Sequence, residues 1–277
     1  MKEYKYKLLW VVFCLCISGV CLAQQNVEVT LLHTSDVHSR LEPIDSKDDM
    51  NLNKGGFVRR AALVNKLREE GKNVLLLDCG DISQGTPYYN FFKGEAEVKM
   101  MNEMGYDALA IGNHEFDLGL ENMARIFKMA KFPIVCANYD FSHTILKKIV
   151  KPYIIIERFD IKIGIFGLGI KLDGLVQKDK CKGVIYKDPV QVANQVAALL
   201  KDKGCDVIIC LSHLGVESDR TVLAETRNID VILGGHSHTL MTNPKTYLNI
   251  DGKSVFLMHS GSKGTNIGRI DLILKHK

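Results

Sequence analysis

The stretch Ala108–Gly119, ALAIGNHEFDLG, is apolar for four residues and then turns polar at Asn113, His114, Glu115 and Asp117. A solvent turn after a strand uses Gly, Asn or Asp for its backbone geometry, but it has no use for a histidine flanked by carboxylates. The apolar run reads as a buried strand, which places the polar cluster at the strand's end. Fold and function both depend on which other runs of the chain end in the same way.

Seven further runs of strand length are present: VEVTLLHTS (27–35), NVLLLDCG (73–80), PIVCANY (133–139), IKIGIFGLG (161–169), DVIICLSH (206–213), DVILGGH (230–236) and SVFLMHSG (254–261). Between them lie helix-period segments: FVRRAALVNKLREEG (57–71), AEVKMMNEMG (96–105), LENMARIFKMAK (120–131) and PVQVANQVAALLKDKG (189–204). Gly71, Gly105 and Gly204 close three of these, as C-terminal caps do. Continuous apolar strands alternating with helices predict an α/β fold with sheets covered on both faces. Eight or more strands, without a long linker, repeat or low-complexity tract, predict one domain over residues 27–277 with two packed sheets.

Five of the runs end in metal-ligand chemistry. Asp36 and His38 follow the first, Asp81 follows NVLLLDCG, Asn113 and His114 follow ALAIG, His213 closes DVIICLSH, and GGHSH carries His236 and His238. Ligands bind at the carboxyl ends of strands in open α/β sheets. Asp36 and His38, like His236 and His238, stand at alternate positions and can point the same way. Two divalent cations about 3.5–4 Å apart form a clamp for in-line displacement at phosphorus. A carboxylate such as Asp81 has two oxygens with which to bridge them. Imidazoles suit zinc and other first-row metals, while amide and carboxylate oxygens suit manganese or magnesium. Taken singly, Asp36-x-His38 and Gly80-Asp81 fit ordinary turns, and His213 fits an ordinary core histidine. GNH is harder to explain as a turn, and GGHSH has few structural uses. The ordered set points to metal binding, while His33, His143, His259 and His276 read as plain core or surface histidines.

Hydrophobic residues make up 46% of the 277 and charged residues 25%, enough for a substantial core and against disorder. The N-terminus has a basic start (MKEYKYK), an apolar run (LLWVVFCLCISGV) and small residues before a cleavage point after Ala23, the layout of a secretory signal peptide over residues 1–23. An uncleaved anchor is the alternative, but the apolar run is short for a bilayer. Val20 before Cys21 argues against a lipoprotein. Cleavage removes three lysines and one glutamate, so the net charge of +4 falls to +2, and nothing indicates a groove for a nucleic-acid polymer. The expected location is exported, periplasmic or secreted, with no stable membrane span after cleavage. Five cysteines remain, Cys79, Cys136, Cys181, Cys205 and Cys210, which allow a bridge or two but no disulfide framework.

The ordered set D-x-H, GD, GNHE, SH and GHSH resembles the calcineurin-like metallophosphoesterases over nearly all of residues 27–277. LLHTSDVHSRLEP, GDISQGTPYYNFFKGE, ALAIGNHEFDLG and HSGSKGTNIGRIDLIL resemble the catalytic half of the 5′-nucleotidase/2′,3′-cyclic phosphodiesterase family. The resemblance implies a four-layer α/β/β/α sandwich. It implies two divalent metal ions (zinc, manganese, iron or magnesium), one held by Asp36, His38, Asp81 and His238, the other by Asp81, Asn113, His213 and His236. Many nucleotidases of the family carry an amide at the last position of GHSH, so His238 alters the donor set offered to the first metal. His114 is expected beside the phosphate, oriented by Asp117, with Glu115 facing away or bracing the turn. The implied mechanism is in-line attack on phosphorus by a water or hydroxide bridging the two cations, with protonated His114 stabilising the transition state or donating to the leaving oxygen.

Arg40 is a candidate phosphate contact, set against a plain surface charge or salt bridge. Tyr88, Tyr89, Phe91 and Phe92 offer base stacking or simple loop packing, and Lys147, Lys148 and Lys151 read as a solvated face. The resemblance also implies a C-terminal domain that stacks the base, and Lys277 falls before it. Three explanations stay open: broad use of small phosphate esters, a separately encoded C-terminal domain as partner, or recognition by loops 83–94 and 139–148. The functional expectation is an exported phosphohydrolase for nucleotides or similar monoesters. The alternatives are a cyclic-nucleotide phosphodiesterase and a non-catalytic metal-binding subunit.

Overall fold

The computed structural model describes residues 26–47 and 50–275, so the expected leader and His276 lie outside the described residues. The chain runs β1 (Asn26–Thr34), α1 (Phe57–Glu69), β2 (Val74–Asp78), α2 (Pro87–Phe92), α3 (Glu95–Met104) and β3 (Ala108–Ala110). A 3₁₀ turn, His114–Phe116, precedes α4 (Gly119–Phe127) and the short strands β4 (Ile134–Val135), β5 (Tyr139–Asp140) and β6 (Val150–Lys151). Next come β7 (Tyr153–Arg158), β8 (Ile161–Gly169), β9 (Ile185–Tyr186), α5 (Pro189–Asp202), β10 (Val207–His213) and α6 (Val216–Glu225). The chain finishes with β11 (Val231–Gly234), β12 (Lys245–Leu248), β13 (Ser254–His259) and β14 (Gly268–Lys275).

Two six-stranded sheets carry the fold, in the orders β14-β1-β2-β3-β4-β6 and β12-β13-β11-β10-β8-β7, and β5 pairs with β9 apart from them. The inner strands of both sheets are parallel. Antiparallel strands close three edges: β14 beside β1, β7 beside β8 and β12 beside β13. Strand alternation sorts the apolar residues into three cores. Leu31, Leu75 and Leu77 meet Ile163, Ile165, Ile209 and Leu211 between the sheets. Leu32, Leu76 and Leu109 face the other way, onto Val64, Met101 and Met123 of α1, α3 and α4. Phe166, Ile208 and Cys210 pack on Ala197 and Leu200 of α5 and Val222 of α6. These are the four layers, α/β/β/α, and each fully buried Leu or Ile in them contributes about 1.5–3 kcal/mol.

Gly71, Gly105 and Gly204 all take left-handed backbone at helix ends, as their positions predict. All five cysteines of the described residues are free thiols, so no bridge forms. No helix among the described residues is long and apolar enough to cross a membrane.

Candidate metal centre

Parallel pairing aligns the carboxyl ends of β1 with β2 and of β10 with β11, with Thr34 opposite Asp78 and Ser212 opposite Gly234. The loops leaving these ends then bond to each other. Asp36, His38 and Ser39 donate backbone N–H to the carbonyls of Gly80, Asp81 and Ile82 at 2.8–3.0 Å. Asp78 accepts the Gly80 N–H at 2.8 Å and shapes the turn that carries Asp81. Only glycine fits at 112, because a Cβ there would stand 2.2 Å from Asp81 Oδ1. The glycines of GD and GNH thus serve the close approach of two loops, a requirement that either motif alone does not reveal.

Three clusters of metal-ligating atoms result, each with its atoms within 4.8 Å of one another: Asp36, His38 and His238; Asp81, His213 and His236; and His38, Asp81 and His114. His238 Nε2 lies 3.0 Å from His38 Nε2 and 3.6 Å from Asp36 Oδ1. Asn113 Oδ1 joins the second cluster, 3.0 Å from His236 Nδ1. All seven expected ligands come together here, on a backbone that the sequence does not reveal. Asp36, His38, Asp81, His236 and His238 are all left-handed, with φ between 50° and 71°, rather than extended. Such conformations cost about 1–3 kcal/mol each and persist only where the surrounding structure holds them. The alternate positions of Asp36 and His38, and of His236 and His238, are thus brought together by turning loops rather than by extended backbone.

The electrostatics fit a cation. His213 is fully buried, and the Cys79 carbonyl, 2.7 Å from Nδ1, orients its ring. Its Nε2 stands 3.1 Å from Asp81 Oδ2, yet the pair does not form a well-directed hydrogen bond. Burial opposes a charge on His213, but Asp81 and Asp36 outweigh it and carry the pKa up to about 10. Burial likewise opposes a charge on Asp81, and His213 more than compensates, holding that carboxyl well below its usual range. The two carboxylates thus favour positive charge at this position, and a cation bound there would compete with the His213 proton. Burial lowers the pKa of both His38 and His236 and so favours the neutral imidazoles a metal needs.

His114 sits at the edge of this group. Its backbone N–H donates to Asp81 Oδ1 at 2.9 Å, and its Nδ1 meets Asp117 Oδ2 at 2.9 Å, an orientation that turns Nε2 away from Asp117. The bond to Asp117 raises the His114 pKa against the opposing effect of burial, with help from the Asp81 charge. His114 also falls in the third cluster with His38 and Asp81, a proximity the sequence does not reveal.

Glu115 braces the turn. It is buried and accepts four backbone N–H groups, those of Gly112, Asp81, Ile82 and Ser83, at 2.7–3.3 Å. Glu115→Gln replaces one acceptor oxygen by a donor and leaves buried N–H groups unsatisfied at about 1–3 kcal/mol each. The variant is expected to unfold at lower temperature and to bind metal more weakly, read by calorimetry and metal titration. Wild-type values in both would contradict the brace.

An open cavity of about 360 Å³ lies over the clusters, lined by His38, Arg40, Asp81, Gln84, Gly85, Asn113, His114, His236, His238 and Lys263. Arg40 is therefore at the site. Sequence reasoning missed Gln84 and Lys263; the quoted segment SKGTN was the available signal for Lys263. Tyr88, Tyr89, Phe91 and Phe92 do not line the cavity. Tyr89 is buried, and Tyr88 stacks on Phe92 at 6.4 Å and donates to Glu42. Lys147, Lys148 and Lys151 are exposed. His33 and His259 are core residues, His259 paired with Asp219 at 2.8 Å, and burial lowers the His33 pKa to about 3.

Comparison with known proteins agrees with the geometry. The model of the calcineurin-like phosphoesterase family matches residues 29–240. The snake venom 5′-nucleotidase of Crotalus adamanteus is 34% identical over 285 residues, covering 96% of this chain and 48% of that protein. The structure of the Haemophilus influenzae NAD nucleotidase superposes with a TM-score of 0.79 at 32% identity, covering 90% of this chain and 49% of that one. The Bacillus subtilis calcineurin-like phosphoesterase YfkN gives a TM-score of 0.75 at 29% identity, covering 90% of this chain and 86% of that one. The chain spans about half the length of the curated relatives it matches. With the four-layer fold, the ligand clusters around Asp81 and this similarity in place, the chain belongs to the calcineurin-like phosphoesterase family.

Proposed function

We propose that the protein is an exported phosphomonoesterase of the 5′-nucleotidase type, working with two divalent cations. The observation that supports this reading is the placing of Asp81, which clusters with His213 and His236 on one side and, through His38 at 4.0 Å, adjoins Asp36, His38 and His238 on the other, with the His114–Asp117 pair beside it. Asp36, His38, Asp81 and His238 would hold one ion, and Asp81, Asn113, His213 and His236 the other. When bound, such a pair supplies Lewis-acid stabilisation of the phosphoryl oxygens and lowers the pKa of water toward neutrality. Asp81 would serve both positions, and the Cys79 carbonyl, accepting from Nδ1–H, leaves His213 Nε2 free to ligate. His114, held protonated by Asp117, donates a hydrogen bond to the phosphoryl group or a proton to the leaving oxygen. Nucleotides as substrates and export as location rest on the named relatives and on the leader-like first residues. A separate domain completing base recognition belongs to the same proposal, supported by a cavity lining that carries no Phe, Tyr or Trp among the described residues.

The test is phosphate release from AMP, from a 2′,3′-cyclic nucleotide and from an aryl phosphate, by protein stripped with a chelator and then resupplied with Mn²⁺ or Zn²⁺. Release from the monoesters only after resupply is expected. The AMP-to-aryl ratio reads out base recognition, and a preference for the cyclic ester would replace the monoesterase reading. Two bound metals with no hydrolysis of any ester would contradict the proposal.

A further inference from the structure

We propose that Asp219, acting through Ser212, is a positioning residue that holds His213 and the segment carrying His236 at the second metal position. This rests on the two-cation phosphohydrolase reading above. Asp219 is fully buried in the first turn of α6, on the same stripe as Val222 and Leu223, which belong to the core beneath this helix. A carboxylate in such surroundings is costly unless its oxygens are bonded. Here each oxygen has a donor: Oδ1 accepts from Ser212 Oγ, and Oδ2 accepts from His259 Nε2 at 2.8 Å.

The two donors come from strands that flank β11. Ser212 near the end of β10 and His259 at the end of β13 both pair with Gly234 of β11. One carboxylate thus reaches across the tip of β11 to both of its neighbours. Only glycine fits at 234, where a Cβ would stand 2.1 Å from His259 Nε2 and 2.5 Å from Asp219 Oδ2.

Ser212 passes this constraint to the site. It immediately precedes His213, and its Oγ accepts the Leu214 N–H at 3.2 Å, which closes a turn around His213. Its carbonyl accepts the Gly235 N–H at 2.9 Å, which fixes the start of the segment carrying His236. A Cβ at 235 would lie 3.0 Å from His213 Nδ1, so the two segments have little slack. Both histidines of the Asp81–His213–His236 cluster therefore depend on one serine, and Asp219 sets where that serine sits. Apolar residues would hold α6 to the sheet at less cost, because a buried ionic group is a weak source of stability. What Asp219 adds is direction, since a hydrogen bond fixes an angle that apolar contact leaves free.

The test is Mn²⁺ titration by calorimetry of the wild type, Ser212→Ala, Asp219→Asn and Val222→Ala, beside thermal unfolding of the metal-free proteins and aryl phosphate release. Two ions are expected to bind the wild type. Ser212→Ala and Asp219→Asn should weaken one ion by about 10–100-fold and leave the other within about threefold, as loss of a partner that orients a metal ligand does. The retained ion should match in affinity the one that His236→Ala keeps. Val222→Ala removes only packing from the same helix, so it should lower the unfolding temperature and change neither affinity. Should Asp219→Asn fail to fold, Ser212→Ala carries the test. Wild-type affinities in Ser212→Ala, equal weakening of both ions, or the same selective loss in Val222→Ala would overturn the positioning role. Selective weakening in protein that hydrolyses no ester removes the phosphohydrolase reading alone, and hydrolysis with unaltered affinities removes the positioning role alone. Fewer than two ions in the wild type would remove both.

Discussion

Replacing Asp81 by asparagine is expected to abolish phosphate release and to reduce bound metal at both positions, not at one. Asp81 is common to two ligand clusters, and its Oδ2 lies 3.1 Å from His213 Nε2 and 4.0 Å from His38 Nε2. No other carboxylate belongs to both clusters among the described residues. Asparagine preserves size and an acceptor for the His114 N–H, which Asp81 Oδ1 binds at 2.9 Å. What it removes is the charge that two cations would share. The rate loss should exceed the roughly 10²–10⁴-fold that loss of a general acid costs. Metal content by elemental analysis, beside phosphate release and circular dichroism, is the check. A folded variant that keeps two metals and near-normal activity would show that Asp81 does not bridge.

The second large effect is expected at His114. His114→Ala should lower kcat by about 10²–10⁴-fold while leaving metal content near normal, because Asp36, His38 and His238 on one side and Asp81, His213 and His236 on the other remain. The pH dependence separates an acid from a ligand. The hydrogen bond to Asp117 is the largest contribution to the raised pKa of His114, followed by burial, which opposes it. A raised pKa keeps His114 protonated to higher pH than an ordinary histidine, so activity that needs this proton falls as pH rises through the raised value. Asp117→Asn removes the main cause of the shift and should move that alkaline limb to lower pH. A limb that stays in place, or loss of metal in His114→Ala, would assign His114 to coordination instead.

The parts of this molecule visible in its sequence are those whose physics is local. All eight apolar runs form strands, because a strand buried on both faces needs continuous apolar sequence. Edge strands lack that signature: β12 (KTYL) is largely exposed, β7 (YIIIER) is covered on one side, and each pairs with a single neighbour. Helix α6 (VESDRTVLAE) escapes notice because Val222, Leu223 and Asp219 form only a narrow buried stripe. The residues of the candidate site are legible because histidines and carboxylates just past apolar strands have few structural uses. Glu115 and Lys263 are not legible in the same way. The role of Glu115 depends on two loops meeting so that one carboxylate can accept donors 33 residues away, as it does from Ile82. The place of Lys263 in the cavity wall depends on β14 returning beside β1, which sets its loop against Asp36.

The central claim is two cations sharing Asp81, and anomalous diffraction from crystals soaked in Mn²⁺ or Zn²⁺ tests it most directly. Two anomalous peaks about 3.5–4 Å apart are expected, one beside Asp36, His38 and His238, the other beside Asn113, His213 and His236, with Asp81 between them. A single peak, or peaks away from Asp81, would contradict it.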